Sequence, residues 1–343
     1  MQTLMLKNRF KKVGFGFAFL CGSFGFSQSF NQDASAVLSD VVLLSKGFVS
    51  SAADASVYQS SSAWYSSAKS VGKFKVDFSI HANVLPIPKS QKNFEVSNTD
   101  FQSMEIRGGA QSVSVPTALG GDTNAFFDFK IVGQDYEMQA FEGVDESFLA
   151  HPYVQASVGL WAATDISFRY SPKVKIDVSD YQILGGAIKH NLTQYTRKEG
   201  SEKSLEIAVL LSYSKFDLDL YFDEFKLEAT NPQPGSTPLA VVNSIIVDAN
   251  SWLFQFIASK EYKKFEFSGS LGVTRNDFKY ELGGDEGLFL DLFNQALTTL
   301  DEENKIGFKG DVGVNYHFKK FYLSSMVSLG KFANCNLALH YKI

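Results

Sequence analysis

The chain has 343 residues, and its 32 Lys and Arg against 37 Asp and Glu give a formal net charge of -5. This balance offers no basic patch for a phosphate backbone, and nucleic acid is therefore excluded as a predicted partner. A mean hydropathy of -0.07 is too polar for a bundle of membrane helices, although 14% of the residues are aromatic. A transmembrane β-barrel accounts for both values, because only every second residue of its strands faces lipid.

The first residues have the pattern of a secretory signal peptide. Four basic residues lie between positions 7 and 12, and the apolar stretch Val13 to Phe26 follows them. That stretch is shorter than the roughly twenty residues a spanning helix needs, which disfavours the alternative of a membrane anchor. We predict a signal peptide over residues 1–27. Cys21 would leave with it, and Cys335 would be the one thiol of the mature chain, too few for an internal disulfide.

Residues 28–72 form a predicted N-terminal segment that differs from the rest of the chain. Its apolar residues recur every three to four positions, which predicts a helix over about 35–50. A helix this short must bury its apolar stripe, and we expect it to be tucked into the periplasmic mouth or lumen of a barrel as a plug. The alternative is a poorly ordered leader. The plug candidates are Leu38, Val41, Val42 and Phe48.

From residue 73 to residue 343 the hydrophobic period is two, which is typical of β-strands with one apolar and one polar face. In the run 73–85 the even positions are apolar and the odd positions polar. The pattern predicts an all-β membrane protein, an antiparallel transmembrane barrel of about twelve strands with limits of ten and fourteen. The predicted strands are 73–85, 101–109, 125–140, 152–161, 164–171, 181–190, 204–216, 245–258, 262–275, 305–318, 320–330 and 334–343, of which the second and third alternate poorly.

The lengths of the connections predict an orientation. The two longest, 217–244 and 276–304, fall on the same side of the barrel and are expected outside the cell, because barrels of this class have short periplasmic turns. The final strand alternates up to Ile343, where such barrels usually end in Phe, and resembles the signal recognised by the barrel assembly machinery. The predicted location is the outer membrane of a Gram-negative bacterium, with the lipid bilayer as the first partner.

The inward faces of the predicted strands carry mixed charge. This arrangement indicates either a polar conduit or ligand site, or a lumen filled by paired charges. His81, His317 and His340 are expected to cluster when the barrel closes, but no G-x-S-x-G nucleophile, metal-ligand spacing or phosphate loop is present. We therefore predict no enzyme, catalytic residue, metal or cofactor. The lumen-facing candidates are Lys73, Lys75, Asp77, His81, Arg169, Glu206, Glu266, Lys309, Asp311, His317 and His340.

Several stretches resemble a family of uncharacterised outer-membrane proteins that is distantly similar to the long-chain fatty-acid transporter barrels. They are Trp64-Tyr65, GKFKVDFSIHANVLPIP at 72–88, GGAIKHNLTQY at 185–195 and NSWLFQFIASKEYKKFEFSGSLGV at 250–273. The resemblance implies a barrel whose N-terminal segment blocks the lumen, although the Asn-Pro-Ala hatch motif of those transporters is absent here.

Two functions follow as hypotheses. The first is passage or uptake of small hydrophobic molecules through the outer membrane, with such a molecule as the ligand. The alternative is a surface protein that transports nothing and binds a partner through its external loops. An outer-membrane hydrolase is a third, weaker hypothesis.

Overall fold

The fold is a closed antiparallel barrel of ten strands built around an N-terminal helix. The structure is a computed structural model that describes residues 5–176, 179–196, 205–231, 237–238, 240–285, 288–298 and 305–343. In chain order the elements are α1 (Met5–Ser60), β1 (Val76–Pro86), β2 (Asn93–Ser97), β3 (Glu105–Ile106), β4 (Ser112–Pro116), β5 (Phe126–Ile131), β6 (Gln134–Gln139), β7 (Phe148–Gly159), β8 (Thr164–Ile176), β9 (Ser179–Asn191), β10 (Glu206–Ala229), β11 (Ala240–Tyr262), β12 (Phe265–Asp285), α2 (Leu288–Thr298), β13 (Lys305–Phe318), β14 (Phe321–Leu329) and β15 (Asn334–Lys342).

The barrel consists of β1 and β7 to β15, each paired antiparallel with two neighbours. Strand β1 pairs with β15 on one side and with β7 on the other, which closes the ring and leaves no free sheet edge. The described connections at one end are short, with two-residue turns at 263–264 and 319–320. The other end carries the 61-residue insertion 87–147 between β1 and β7. We call this end the external end, because the rule of short periplasmic turns predicts that the insertion lies outside the cell.

The predicted number of twelve barrel strands is too high by two. The predicted strands 101–109 and 125–140 lie outside the barrel, where they form β3 and the hairpin β5–β6. That hairpin pairs with the far end of β10 through Glu228 and Ala229, beyond the closed ring. Their weak alternation has a physical reason: these short strands cover a buried apolar core outside the membrane, and lipid does not select their outward residues.

Strands β10, β11 and β12 are 24, 23 and 21 residues long, about twice what a tilted membrane crossing requires. Partway along each strand, the apolar residues change from the outward face to the inward face. In β10 the outward residues are apolar as far as Tyr213, whereas Lys215 and Asp217 continue the outward face and Phe216 and Leu218 turn inward and are buried. The three strands therefore leave the membrane and continue as a sheet in water. The predicted loop 217–244 is consequently mostly strand, whereas the predicted loop 276–304 contains the end of β12 and the helix α2.

Helix α1 passes from the insertion end of the barrel into the lumen. Its part Gln32–Ser60 is long and apolar enough to cross a membrane by length and composition, but protein buries most of it. Asp40 accepts hydrogen bonds from three backbone N–H groups of residues 102–104, and Phe48 packs on Phe141 with ring centroids 5.3 Å apart. The expected position was the periplasmic mouth or the lumen. The last residues of the helix lie in the lumen, whereas its apolar stripe lies at the external end, because the insertion supplies an apolar surface there. The predicted signal peptide 1–27 remains a prediction; residues 1–4 lie outside the described part.

The outer wall of the barrel is apolar and is bordered by aromatic side chains. On β11 this band runs from Trp252 to Tyr262, roughly 33 Å along the strand and about 25 Å high at a tilt of about 40°. Trp252 meets Tyr213 at the external border, with ring centroids 5.0 Å apart. Phe318 and Phe321 stack at the short-turn border with centroids 6.0 Å apart. Aromatic residues favour the two membrane interfaces, so this wall is built to face lipid.

Candidate functional site: the plugged lumen and the external cap

The lumen is lined by polar side chains and is filled by the chain itself. We call residues 52–71 the plug; they comprise the last part of α1 and the irregular segment of turns and bends after it. Inward residues such as Gln255, Ser328 and Asn334 are less than 1% exposed because the plug covers them. The apolar part of the contact is a second core, which joins Ala63, Trp64, Tyr65 and Ala68 of the plug to Ala187, Ala208, Leu210, Leu253, Ile257 and Met326 of the wall.

Donors from the wall bind the carbonyl groups of the plug. The last four carbonyls of a helix lack partners within the helix and must find them elsewhere. Here amide and cationic side chains supply those partners, and positive charge near a helix C-terminus is itself favourable. The pairs are Asn334 to Tyr58, Asn83 to Gln59, Arg169 to Ser60, Lys309 to Ser61, Asn315 to Ser66, Lys189 to Ser67 and Asn191 to Ala68, with donor–acceptor distances between 2.7 and 3.2 Å.

Arg169 on β8 is the central wall residue at the plug. Its guanidinium is fully buried and donates to Gln155 Oε1 at 2.9 and 3.1 Å and to the Ser60 carbonyl at 2.9 Å. The rings of Trp64 and Tyr153 lie on it, with centroids 3.9 and 4.1 Å from the guanidinium carbon. Two aromatic faces stabilise a desolvated cation electrostatically. Arg169 therefore joins the plug to β7 and β8 by both hydrogen bonds and ring contacts.

Lys309 and Asp311 on β13 form a second buried contact with the plug. The ammonium and the carboxylate are 3.1 Å apart, and both side chains are completely buried. Asp311 also accepts hydrogen bonds from Gln255 at 2.6 Å and Ser270 at 2.9 Å. Because Lys309 donates to the Ser61 carbonyl at 2.8 Å, this pair fixes the plug against β11, β12 and β13.

At the short-turn end, carboxylates hold the last residues of the plug. Asp165 on β8 accepts hydrogen bonds from Ser70 at 2.5 Å and from the backbone N–H of Val71, and it pairs with Lys189 at 3.2 Å. Glu266 on β12 accepts a hydrogen bond from Ser67 of the plug. Lys69 forms an ion pair with Glu261 at the end of β11. The plug is therefore anchored at both ends and along its length.

A cluster of two aromatic rings and a carboxylate lies on the inner side of the seam, the pairing of β1 with β15 that closes the ring. His340 approaches Asp77 at 3.1 Å and Ser324 at 3.1 Å through its two ring nitrogens, and it stacks on Tyr322 with centroids 4.1 Å apart. Tyr322 donates to the other oxygen of Asp77 and shares a 2.9 Å hydrogen bond with Ser66 of the plug. The Ser–His–Asp connectivity matches that of a hydrolase triad, but Ser324 is only 8% exposed and lies in the plugged lumen.

The same seam holds a second, similar chain of hydrogen bonds. His81 contacts Ser79 at 2.8 Å and Asn336 at 3.0 Å, and Asn336 donates to Tyr153 at 3.1 Å. Since the His81 and His340 rings are 5.4 Å apart, the two chains form one polar layer between β1, β7 and β15. Repetition of the pattern is typical of a packed polar interior, in which each buried group finds a partner.

The structure places nine of the eleven lumen-facing candidates on the inner wall. Asp77, His81, Arg169, Glu206, Glu266, Lys309, Asp311 and His340 are buried there, and His317 is partly exposed near the short-turn end, 3.4 Å from Glu266. Lys73 and Lys75 are exposed, and the expectation for them is wrong. Strand β1 begins only at Val76, after Gly72 and Phe74 take left-handed backbone angles, so both lysines lie in a turn at the mouth.

The other predicted site residues belong to helix α1. Val41, Val42 and Phe48 are buried and Leu38 packs partly buried against the same core. These plug candidates lie in the external part of the helix, above the lumen. Gln155, Tyr322 and Asn336 were not among the predicted site residues, although each lies at an inward position of an alternating strand. Among the described residues no group of His, Cys, Asp and Glu is arranged to hold a metal ion.

The external end of the barrel is covered by a folded unit that we call the cap. It consists of residues 33–50 of α1, the insertion 87–147, the outer ends of β10 to β12, and α2. Its members share one apolar core, in which Phe127, Phe216 and Phe293 are buried. A groove of about 830 Å³ on its surface is lined by Arg107, Asp128, Tyr136 and Glu137 among others. The hydrogen bond to Asp128 and, to a smaller extent, the one to Glu137 raise the pKa of Arg107, so this cation stays charged.

These features define a transmembrane β-barrel, closed by its own N-terminal segment and covered by a cap. The chain belongs to a protein family, the family of unknown function DUF6588, whose model matches residues 6–343. None of the curated proteins matches the chain. The link to long-chain fatty-acid transporters that the resemblance implied stays a prediction.

Solved outer-membrane barrels are similar to this chain in fold alone. The KdgM porin in complex with disordered oligogalacturonate is 8% identical, with 78% of this chain and 98% of that chain covered and a TM-score of 0.27. The outer-membrane protease OmpT from Escherichia coli is 8% identical, with 79% and 96% covered and a TM-score of 0.32. The transport unit of the autotransporter AIDA-I from Escherichia coli is also 8% identical, with 84% and 96% covered and a TM-score of 0.27.

Proposed function

We propose that this protein is a sealed barrel of the Gram-negative outer membrane that presents its cap at the cell surface to bind a partner. The observation that carries the proposal is the plug: its carbonyls are hydrogen-bonded by donors from β1, β8, β9, β13 and β15. A lumen packed in this way gives solutes no continuous path. The part that remains free for interaction is the cap, with its own apolar core and its groove.

The apolar outer wall supports the membrane location in this proposal, because lipid is the one environment that covers it favourably. The short described turns at the opposite end support the outward direction of the cap. The contact of Ser324, His340 and Asp77 is structural in this reading, and no enzymatic activity or cofactor is proposed. Insertion by the barrel assembly machinery follows from the alternating final strand.

The proposal is tested by epitope insertion in whole cells. A tag between Gly108 and Gly109, where nothing lies within 4 Å of either added Cβ, should be bound by antibody on intact cells. The matched tag in the turn 263–264 should be bound only after the outer membrane is permeabilised. The opposite pattern would contradict the outward cap. Stepwise currents from the unmodified full chain in a planar lipid bilayer would contradict the sealed lumen.

Passage of small hydrophobic molecules is the second candidate function. It is favoured by one observation: the plug is a single segment without a cysteine, so no disulfide fixes it to the wall, and a ligand or partner that displaces it would open a lumen. The probe for this candidate is N-phenylnaphthylamine, a small apolar dye, added to vesicles that contain the protein. Faster dye entry with a variant that lacks residues 32–71, and not with the full chain, supports a gated passage. Equal entry with both proteins refutes it.

A further inference from the structure

The plug runs through the lumen in one direction, from the external end to the short-turn end. Near its beginning, the Tyr58 carbonyl accepts a hydrogen bond at 3.2 Å from Asn334, which lies at the external start of β15. Near its end, Ser70 donates at 2.5 Å to Asp165, which lies at the short-turn start of β8. The chain then returns toward the external end as β1. Residues 33–51, which precede the plug, therefore lie on the external side of the lumen.

The beginning of this segment is fixed on the cap. Asp33 accepts a hydrogen bond at 3.0 Å from the backbone N–H of Val132, at the tip of the β5–β6 hairpin. The signal peptide predicted over residues 1–27 would make residue 28 the first of the mature chain, shortly before Asp33. A signal peptide delivers the N-terminus of a chain to the periplasm, whereas the structure holds this part of the chain at the opposite end of the barrel. The segment must therefore cross the membrane.

The wall of the lumen binds the plug through its main chain. Lys189 donates to the carbonyls of Ser67 and Lys69 at 2.7 Å each, and the other wall donors described above also bind carbonyl groups. Every residue of a polypeptide carries such a carbonyl, so contacts of this kind do not depend on a particular side chain. Eight of the eleven residues 60–70 are Ser or Ala, which lets the backbone lie close to the wall. The lumen is thus suited to hold a single polypeptide strand.

The cap supplies a force that keeps the segment outside. A helix over residues 35–50 cannot bury its apolar stripe alone, but on the external side Phe48 packs on Phe141 and Asp40 binds the backbone of residues 102–104. Burial of apolar surface in the cap core favours this position without another source of energy. A ten-stranded barrel is only slightly wider than the eight-stranded barrels whose interior side chains fill, so it admits a strand or a single helix and excludes a folded domain.

We infer that the barrel exports its own N-terminal segment: residues 28–51 pass outward through the lumen as an unfolded polypeptide, and the mature N-terminus is displayed beside the cap. The substrate is a polypeptide continuous with the barrel, so a passenger placed ahead of Asp33 would be exported with it. The inference rests on the outward cap of the proposed function and adds a transport step to it. The sealed lumen is the state after export, when the plug has docked.

The test uses the full chain with a short epitope inserted between Asn31 and Gln32, which leaves the predicted signal peptide intact. Antibody should bind this epitope on intact cells, as it should bind the tag at 108–109, and should bind the tag at 263–264 only after permeabilisation. Binding at 108–109 without binding at 31–32 would overturn the inference and leave the outward cap standing. Loss of binding at both positions on intact cells would overturn the proposed function and the inference together.

A cysteine variant replaces the epitope should the insertion prevent assembly. Ser35→Cys, at an exposed position of α1, is made in a chain with Cys21→Ala and Cys335→Ser and is treated with a membrane-impermeant maleimide on intact cells. Gln111→Cys is the matched control, at an exposed position of the insertion. Equal labelling of the two variants supports export. Labelling of Gln111→Cys alone overturns it.

The route through the lumen is tested with two passengers inserted between Asn31 and Gln32. One is a small domain held folded by disulfides, and the other is the same domain with its cysteines replaced by Ser. Because the lumen admits only an unfolded chain, we expect the cysteine-free passenger on the cell surface and a loss of display for the disulfide-closed one. Display is compared per barrel, counted with the tag at 108–109. Equal display of both passengers would overturn passage through the lumen, and display of neither would overturn export of a passenger.

Discussion

Replacing Trp64 by Ala tests whether the plug is held mainly by its contact with Arg169. The Trp64 ring is 2% exposed, and it lies 3.9 Å from the guanidinium carbon. It also fills the space over Gly185, where an added Cβ would stand 2.8 Å from Trp64 Cζ2. The substitution therefore removes a ring from a closely packed site and uncovers one face of a buried cation.

The expected magnitude follows from measured core truncations. A buried Trp replaced by Ala costs about 3–5 kcal/mol, and at about 1.4 kcal/mol per factor of ten the docking equilibrium of the plug shifts by roughly 150- to 4,000-fold. We expect the variant to show a lower urea midpoint in lipid vesicles. Brief current steps in a planar bilayer would follow if the plug leaves the lumen as a unit.

The control is Trp161→Ala, the same substitution at a ring that is 63% exposed in the turn between β7 and β8 and lies outside the lumen. It should keep the midpoint of the unmodified chain. A Trp64→Ala variant with an unchanged urea midpoint would refute the reasoning, because the ring would then contribute nothing to plug docking. A lower midpoint without current steps would favour the sealed surface protein over the gated passage.

Three further substitutions examine the lumen, the lipid face and the extension above the membrane. Asp311→Asn leaves Lys309 buried without its anion and should lower the free energy of unfolding in vesicles by about 3–5 kcal/mol. The double variant Lys309→Met and Asp311→Leu should recover part of that stability. An unchanged free energy of unfolding in Asp311→Asn would contradict the role of the ion pair. Val312→Arg faces lipid mid-strand and should cost about 2–4 kcal/mol of folding free energy, measured as a lower folding yield, whereas Asn250→Arg above the aromatic border should cost far less. Ser79→Arg should also lower the yield, because the lumen has no room for the larger side chain. Equal yields for Val312→Arg and Asn250→Arg would contradict the lipid assignment. Burial and the neighbouring Asp217 raise the pKa of Asp248, and a raised carboxyl pKa means that the charged form costs stability at pH 7, so Asp248→Asn should raise the melting temperature there. That gain should shrink as pH falls through the raised pKa and vanish below the ordinary Asp value of about 3.9; a gain that is constant with pH contradicts the coupling.

The barrel strands could be predicted from the sequence because lipid imposes a strict alternation. Phe78 and Ile80 face lipid while Asp77 and Ser79 face the lumen, and the period of two follows directly from strand geometry. The two strands that were wrongly assigned to the barrel were also the two with poor alternation. Weak alternation is therefore itself a signal that a strand lies beyond the membrane.

The extensions of β10, β11 and β12 beyond the membrane are accompanied by a change in the sequence pattern. In β11 the apolar positions are even at Trp252, Phe254 and Phe256, but odd at Ile245 and Val247. Such a phase change marks the membrane border, because lipid covers the outward face below it and the cap core covers the inward face above it. Residues at the change, such as Asn250, indicate where water begins.

The route of the plug could not be predicted from local pattern. An apolar stripe from Val41 to Phe48 shows that the helix must be covered, but not by which end of the barrel. The cover is the insertion, through contacts such as the one between Phe48 and Phe141, 93 residues apart in the chain. Likewise, the partners of Arg169 are a glutamine, a carbonyl and two rings, none of which a charge pattern reveals.

A final prediction concerns the seam that closes the ring. Val84 of β1 lies directly opposite Cys335 of β15, and both face outward, Val84 being 37% exposed. Directly opposed strand residues have Cα atoms about 4.5–5.5 Å apart, within the range of about 4.4–6.8 Å that a disulfide allows. Val84→Cys should therefore form a disulfide with the native Cys335 under mild oxidation, detected as a shifted band on a non-reducing gel.

Ala82→Cys provides the control for register, since Ala82 pairs with Leu337 and its diagonal distance of about 7–8 Å to position 335 is too long for the bond. Equal crosslinking of both variants, or none with Val84→Cys, would contradict the closed ten-strand ring. The register matters for the site, because a slip of one residue turns an inward face outward. Asp77 and His81 would then face lipid, and the polar layer with Tyr322, Asn336 and His340 would not form.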